Sequence, residues 1–390
     1  MKELTLVVMV GPIGDQHLER QMGWILRIAA RETIQRIIAT GHATRVILAA
    51  PDSRDLEWLS ETPLPVELDL DPADRPFAFG ARLAEVIRRY RIHRLLYVGA
   101  GASPLMSIAD WEAALGAFAR IEEGLLTNNL HSSDWIAVAP AEAILACAHR
   151  LLTDNTMAWV LHREQGLPVQ VWPPSTASLL DLDTPVDALI AAQHPQASAA
   201  LREAVRTTGW DPWRIQRIQG LLQTPGSRLL LAGRVPSWAW AALEQHTQIW
   251  TRVFSEERGM QASARMQRGE VRSLVYTYLR TVGPYRFFET LRELADGALL
   301  DIRVWMAAAG CWPKPGDRYA ADLFATSEIR DPTIREWIEA AAQAPLIVLV
   351  GGHTLVAAGV VALLEGALGV ARIPLACSDR RDPGALPLQG

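Results

Sequence analysis

Short apolar runs alternate with amphipathic helical stretches in the first half of the chain, and this alternation limits the possible folds more than any other feature. Residues 4–10 and 45–50 have the length of buried strands, and residues 24–40 between them have helical periodicity. A helix over 79–90 and a strand over 94–98 continue the pattern. Strands and helices that alternate in this way predict a mostly parallel sheet with helices on both faces, a three-layer α/β domain.

The length of 390 residues suits two domains of ordinary size. A polar segment that begins at Gln193 is the best candidate for a linker, so we place the domains at 1–195 and 196–390. The second domain is predicted to be rich in helices around a small sheet. Its predicted strands are 228–232, 247–254 and 346–350, and its predicted helices are 211–223, 237–246, 271–281, 284–297, 298–309 and 332–342.

The composition indicates which kinds of binding partner to expect. The net charge of −5 and the pI near 6.0 disfavour a nucleic-acid partner, so we expect a small-molecule ligand. The three cysteines have no metal-site or disulfide spacing, which favours a cytoplasmic protein. The apolar run 345–364 is interrupted by glycines, so we expect no membrane span. A homo-oligomer is compatible with the sequence.

Two glycine-containing segments follow predicted strands in the first half. Gly11 and Gly14 come after the first strand and precede Arg20, and the backbone N–H groups of such a loop can face the oxygens of a phosphate. The second segment follows the strand that ends at residue 98. Its candidate ligand-binding residues are Gly99, Gly101 and Ser103.

Carboxylates and amides supply the other candidates in this half. Asp181 belongs to an Asp-Leu-Asp-Thr-Pro tract, whose second aspartate, Asp183, is placed to cap the helix that follows. A polar loop over 127–134 contains Asn128, Asn129 and Asp134, and its amides suit recognition of a sugar or base edge. The same polar groups also suit a loop that satisfies its own backbone, and this alternative stays open.

Together these segments resemble the MobA-like nucleotidyltransferases, over about half the chain. The resemblance rests on the loop with Arg20-Gln21-Met22-Gly23, the strand end with Ser103-Pro104-Leu105, and the tract 181–185. It implies a domain of the nucleotide-diphospho-sugar transferase (GT-A, Rossmann-like) type. It also implies a nucleotide or phosphorylated metabolite as ligand, Mg²⁺ as cofactor, and nucleotidyl transfer as the reaction.

Two positions depart from the family pattern. Alignment on Pro104 and Leu105 places Ala102 where the family has its magnesium-binding aspartate, and Leu26 stands where the family has a lysine. If the protein is an enzyme, Asp134 and Asp181 are therefore the residues expected to bind magnesium and to be catalytic. The alternative is a non-catalytic binding or scaffold protein that kept the fold and lost the metal site.

A second candidate site lies in the C-terminal half, where three predicted strands end in charged or glycine-containing turns. If these strands are parallel, their ends meet at one edge of the sheet, where α/β proteins bind ligands. Arginines at two turns can hold a phosphate or carboxylate, and Glu257 or His353 can transfer a proton. The remaining candidate ligand-binding residues are Arg234, Arg258, Gly351 and Gly352. Two alternatives stay open here: turns in which these charges pair with each other, and chemistry confined to the C-terminal domain.

Overall fold

A sheet of seven strands forms the core of the N-terminal half in the computed structural model, which describes residues 3–53, 58, 65–261 and 263–375. The strand order is β3-β2-β1-β4-β6-β5-β7, and within the described residues only β6 is antiparallel to its neighbours. The strands are β1 (Thr5–Met9), β2 (Arg45–Ala50), β3 (Glu67–Leu70), β4 (Leu95–Gly99), β5 (Gly124–Thr127), β6 (Trp135–Ala139) and β7 (Val169–Val171). The predicted mostly parallel sheet is confirmed.

Seven helices belong to the same half of the described chain. They are α1 (His17–Ala39), α2 (Phe79–Tyr90), α3 (Ile108–Ala119), α4 (Ala143–Cys147), α5 (Met157–Glu164), α6 (Thr176–Leu179) and α7 (Pro185–Gln193). Helix α2 has the bounds predicted from its periodicity. Helix α1 begins seven residues earlier than predicted, because a capping box between Gln16 and Glu19 starts it at His17.

The C-terminal half contains a second sheet of four strands, all parallel, in the order β11-β10-β8-β9. These strands are β8 (Arg228–Gly233), β9 (Trp250–Ser255), β10 (Gly297–Asp301) and β11 (Ile347–Gly351). The helices around them are α8 (Ala199–Arg206), α9 (Trp213–Leu222), α10 (Ser237–His246), α11 (Leu274–Val282), α12 (Pro284–Leu294), α13 (Ile302–Ala308), α14 (Pro315–Asp322), α15 (Pro332–Ala342) and α16 (Ala358–Leu368). A helix-rich C-terminal α/β region is therefore confirmed.

The central strands of both sheets are buried on both faces, as the alternation of their side chains shows. On β8, Leu229 and Leu231 point into the core cluster that also contains Leu6 and Val8 of β1, whereas Leu230 belongs to a cluster on the opposite face. One core cluster thus lies between the two sheets. Its helices include α1, α7, α8, α9 and α16, which pack on one another. The chain forms five layers, and the two sheets share the central helical layer.

Two element predictions are wrong. Residues 298–309, predicted as one helix, form the end of β10 followed by α13. Apolar residues lie on both sides of Asp301 and Arg303, and no glycine or proline marks the strand-to-helix boundary, so periodicity alone did not reveal the change. Asp183 does not cap α7. Thr184 is the N-cap, and its Oγ1 accepts a hydrogen bond from the Asp187 backbone N–H at 3.3 Å.

None of the helices in the described part of the chain combines the length and the apolar character that crossing a membrane requires. The division at residue 195 stays a prediction.

Candidate active site between the two sheets

Each sheet has a point at which the strand order reverses. In the N-terminal sheet the reversal lies between β1 and β4, and in the C-terminal sheet it lies between β8 and β10. Open α/β sheets bind ligands outside the carboxyl ends of their strands at such points. The strand order therefore predicts where to look for a site in each half.

A cavity of about 240 Å³, the central cavity, lies between the two halves. One wall carries carboxylates from the N-terminal half, and the other carries arginines, a histidine and aromatic rings from the C-terminal half. The lining includes Asn129, Asp134, Asn155, Asp181, Asp183, Thr184, Arg234, Trp238, Arg303, Trp312, Arg318, Tyr319, Gly352 and His353. The cavity thus brings opposite charges to opposite sides of one space.

Asp134 is held in the cavity wall by Asn128. The buried Asn128 amide donates to Asp134 Oδ2 at 2.7 Å, and its Oδ1 accepts from the Asp134 backbone N–H at 3.1 Å. Asn128 also donates to the carbonyl of Ser178 at 3.0 Å. The loop before β6 is therefore fixed by a side chain with its own hydrogen bonds satisfied, and Asn128 positions Asp134 rather than facing a ligand.

Asp181 is fixed by a short backbone pairing. It forms an isolated antiparallel bridge with Ala102, and the Leu182 N–H donates to the Gly101 carbonyl at 3.1 Å. A Cβ at Gly101 would lie 3.0 Å from Asp181 Oδ1. Thr184, not Asp183, caps α7. The Asp183 side chain is exposed and lines the cavity, two residues from Asp181.

Burial and mutual repulsion disfavour ionisation of these carboxyls. Burial raises the pKa of Asp134 from 3.8 to about 8, and the charges of Asp183 and Asp154 add to the effect. Burial also raises the pKa of Asp181 well above its usual value, with Asp183 and Asp134 contributing. A positive charge at this wall would relieve the repulsion.

No group of three or more His, Cys, Asp or Glu side chains among the described residues is arranged to hold a metal ion. Mg²⁺ usually takes one or two protein carboxylates and completes its coordination with water and substrate phosphates. Asp134 and Asp181 supply two carboxylates to the cavity lining.

The opposite wall is built at the reversal point of the C-terminal sheet. Arg234, just after β8, makes a bidentate pair with the buried Asp301 at the end of β10, at 2.6 and 3.1 Å. Arg303, in the first turn of α13, donates to Asp322 Oδ2 at 2.6 Å. Arg318 on α14 lies with its guanidinium 5.1 Å from the ring centre of Trp312.

His353 follows β11 and lines the same wall. Burial, together with the positive charge of Arg234, lowers the pKa of His353 from 6.5 to about 4. Arg258 adds to this lowering, so its charge also acts on the ring. The imidazole is therefore neutral at pH 7, when it can accept or donate a hydrogen bond.

A larger cavity of about 550 Å³, the lateral cavity, lies at the carboxyl ends of β1, β2 and β3. It is more apolar than the central cavity, with Phe77, Phe79 and several prolines in its wall. Tyr97 donates to Asp154 Oδ2 at 2.9 Å at its inner end. The neighbouring residues Asp154 and Asn155 each line one of the two cavities, so the cavities lie next to each other.

Several residues predicted from the sequence line one of these spaces. Gly11 borders the lateral cavity. Asn129, Asp134, Asp181, Arg234, Gly352 and His353 border the central cavity. Gly99 lies behind the acidic wall, where an added Cβ would be 3.3 Å from the Asp134 carbonyl oxygen.

Other predicted residues lie outside both linings and have structural contacts. Gly14 packs against Glu19, and Arg20 is in α1, where it donates to the Asp15 carbonyl at the surface. Ser103 is fully buried and donates to the Ser178 carbonyl at 3.0 Å. Gly351 is buried at the end of β11.

Glu257 also faces away from the site. Its carboxylate binds Arg265 Nη1 at 2.6 Å and accepts from the backbone N–H of Arg272 at 3.1 Å. This is the charge-pairing alternative left open above. Glu257 lines neither cavity, and Arg258 is exposed beside it.

Sequence reasoning missed five residues of the basic and aromatic wall: Trp238, Arg303, Trp312, Arg318 and Tyr319. Arg303 was hidden in the wrongly predicted helix 298–309. Arg318 and Tyr319 belong to α14, which the sequence analysis did not identify. The signal that would have found Arg303 is Asp301, a charged residue that ends a buried apolar run, since α/β sheets bind ligands at the carboxyl ends of their strands.

No protein-family model matches the sequence, and no curated protein matches it. Solved structures that resemble parts of the chain include a CMP:2-keto-3-deoxy-manno-octonic acid synthetase complexed with CTP, at 11% identity over 44% of this chain and 89% of that one, with a TM-score of 0.31. A cytidylyltransferase from Leptospira borgpetersenii is 11% identical over 53% of this chain and 94% of its own, with a TM-score of 0.34. A nucleotidyl transferase from Methanothermobacter is 15% identical over 43% of this chain and 86% of its own, with a TM-score of 0.32. Values this low give no information about ligands, so the assignment below rests on the cleft.

Proposed function

We propose that this protein binds a nucleotide or phosphorylated metabolite at the cleft and, as a magnesium-dependent enzyme, transfers a nucleotidyl group to a second substrate. One observation carries the proposal: the carboxylates of Asp134, Asp181 and Asp183 face arginines across a single cavity. Carboxylates can bind a metal ion, and the metal ion and the arginines can together bind the oxygens of a phosphate.

Mg²⁺ would be held by Asp134 and Asp181, with Asp183 beside them. When bound, it would supply positive charge for the phosphate oxygens. The raised pKa values of both carboxyls support this role, because a bound cation would offset the burial and the mutual repulsion that disfavour their ionisation.

The lateral cavity is the proposed place for the nucleoside. Its volume of about 550 Å³ falls in the usual range for small-molecule sites, about 300 to 1,000 Å³. Phe77 is 61% exposed at its mouth, so a base has an aromatic surface to pack on. The phosphates would then extend past Asp154 towards the acidic wall.

In the proposed reaction an oxygen of the second substrate attacks the α-phosphorus of a nucleoside triphosphate. The bond from that phosphorus to the bridging oxygen breaks, and pyrophosphate leaves with the electron pair. A hydroxyl nucleophile would give its proton to a nearby base, and the neutral ring of His353 is on the correct wall to accept a hydrogen bond from it.

The test is calorimetric binding of CTP, GTP, ATP and UTP with and without Mg²⁺, followed by measurement of pyrophosphate release. We expect one nucleotide to bind with magnesium, and Asp181→Asn to weaken it at least about tenfold because a charged ligand is lost. Asp211→Asn is the matched control, since Asp211 is exposed and outside both cavities. No binding of any nucleotide would reject the proposal.

A non-catalytic binding protein is the second candidate, and two residues favour it. Ala102 is buried and provides no ligand, and Leu26 packs against Gly101 where the resemblance places a lysine. The neighbouring Arg27 does not replace that lysine, because its guanidinium donates to the carbonyls of Gly11 and Gly23. Magnesium-dependent nucleotide binding without pyrophosphate release for any acceptor tested would select this alternative.

A further inference from the structure

Two arginines of the central cavity have hydrogen-bonding capacity that the protein does not use. Arg303 is 6% exposed, and its Nη1 has no hydrogen-bond partner although Nη2 binds Asp322. A buried guanidinium N–H without a partner is costly, because the group has lost its water. The Arg303 side chain lines the central cavity.

Arg318 supplies the second unused group. It is half-buried in the same lining, and its guanidinium donates no hydrogen bond to any residue in the described part of the chain. Trp312 lies beside it, as an aromatic platform for the cation. Burial and the nearby charge of Arg303 lower the pKa of Arg318, so the two cations act on each other.

The other charges on this wall are already compensated. Arg234 is paired in bidentate fashion with Asp301, and His353 is neutral at pH 7. Within the lining, Arg303 and Arg318 are therefore the cations whose guanidinium groups are not held in a bidentate pair. Guanidinium groups bind phosphate and carboxylate through paired N–H donors, so an oxyanion matches this wall.

We propose that Arg303 and Arg318 form an oxyanion site that holds a phosphate or carboxylate group of the second substrate. The rest of that molecule would lie against Trp238 and Trp312 in the same lining. The substrate class is therefore a small organic anion, and its identification as the acceptor rests on the proposed nucleotidyl transfer. The anion site itself depends only on the two arginines.

The test is calorimetric titration with inorganic phosphate and, separately, with malonate, in EDTA so that no metal bridges the anion to the acidic wall. We expect one of the two anions to bind, which distinguishes a phosphate from a carboxylate site. Arg318→Gln should weaken that binding at least about tenfold, the usual effect of losing a charge-assisted hydrogen bond. Arg286→Gln, which removes an exposed arginine of α12 paired with Glu289, should leave it unchanged.

Arg303→Lys is a second variant, which keeps the charge opposite Asp322 but removes the planar guanidinium. We expect it to weaken anion binding as well. Circular dichroism verifies that each variant is folded. Absence of binding for both anions, or equal affinity in the wild type and in both variants, overturns the site.

A final titration separates this proposal from the proposed function. Phosphate or malonate added after saturation with nucleotide and Mg²⁺ should still bind, because the site serves a second molecule. Competition between the two would assign the arginines to the nucleotide's own phosphates and overturn the acceptor assignment. Failure of every nucleotide to bind, with arginine-dependent anion binding intact, would reject nucleotidyl transfer and support the anion site.

Discussion

The backbones of Ala102 and Asp181 pair in an isolated antiparallel bridge, and this pairing holds the Asp181 carboxylate against Gly101. Ala102 offers no side-chain ligand, but its backbone fixes Asp181, the residue proposed to bind magnesium.

Replacing Gly101 by alanine should disturb this placement. The added Cβ would lie 3.0 Å from Asp181 Oδ1, from the Leu182 carbonyl oxygen and from Leu26 Cδ2, so the carboxylate must shift. We expect magnesium-dependent nucleotide binding to weaken about tenfold and the free energy of unfolding to fall by about 1–3 kcal/mol, as in overpacked cores. Calorimetry and urea unfolding measure the two effects.

The control is Gly116→Ala in α3, where the added Cβ meets nothing within 4 Å. That variant should keep its nucleotide affinity and gain about 0.5–1 kcal/mol from the better helix propensity of alanine. Equal nucleotide affinity in the Gly101 and Gly116 variants would contradict the proposed position of Asp181.

Magnesium affinity should rise with pH up to about pH 8, and above that pH it should change little. The pKa of Asp134 is about 8, so below that pH a cation must displace its proton before binding. Titrations in buffers with different ionisation enthalpies count the protons released. Affinity that stays constant from about pH 6 to pH 8 would exclude Asp134 as a ligand. Asp134→Asn should bind the ion more weakly at every pH.

Thr184→Ala should destabilise the protein by about 2–3 kcal/mol. The variant loses the N-cap of α7, worth about 0.5–2 kcal/mol, and removes the hydroxyl that donates to the buried Asp187 carboxylate at 2.7 Å. Thr184→Ser keeps the oxygen and should cost less than about 1 kcal/mol. Urea unfolding of both variants tests this, and identical losses would show that the hydroxyl contributes nothing.

Acid destabilisation should be smaller in His353→Gln than in the wild type. The folded-state pKa is about 4 and the unfolded value is 6.5, so between these pH values the unfolded chain binds more protons and stability falls with falling pH. At pH 5 the loss attributable to this ring is on the order of 1–2 kcal/mol. The exposed His149 is the matched control, and His149→Gln should behave as the wild type does.

Local patterns predicted the strands and helices that have clear ends. Residues 237–246 and 332–342 have the predicted bounds because proline or a charged turn precedes each helix. The strands β3, β5 and β7 were missed, because three or four residues give too little alternation to stand out.

The candidate site was predictable at its strand ends and not elsewhere. Asp181 and His353 follow recognisable breaks in an apolar pattern, so sequence reasoning selected them. Arg318 reaches the cavity from the middle of a helix far along the chain, and the packing of α14 against α1, α7 and β11 brings it there. The long-range arrangement of helices is the information that local patterns lack.

The central helical layer, which packs on both sheets, has a consequence for ligand binding. Because its core is continuous with both walls of the cleft, the walls cannot rotate apart without separating buried side chains. The cleft is therefore preorganised: acidic and basic groups keep their spacing whether or not a ligand is present. Binding then incurs little reorganisation cost, and ligand exchange depends on side chains at the mouth rather than on a domain hinge.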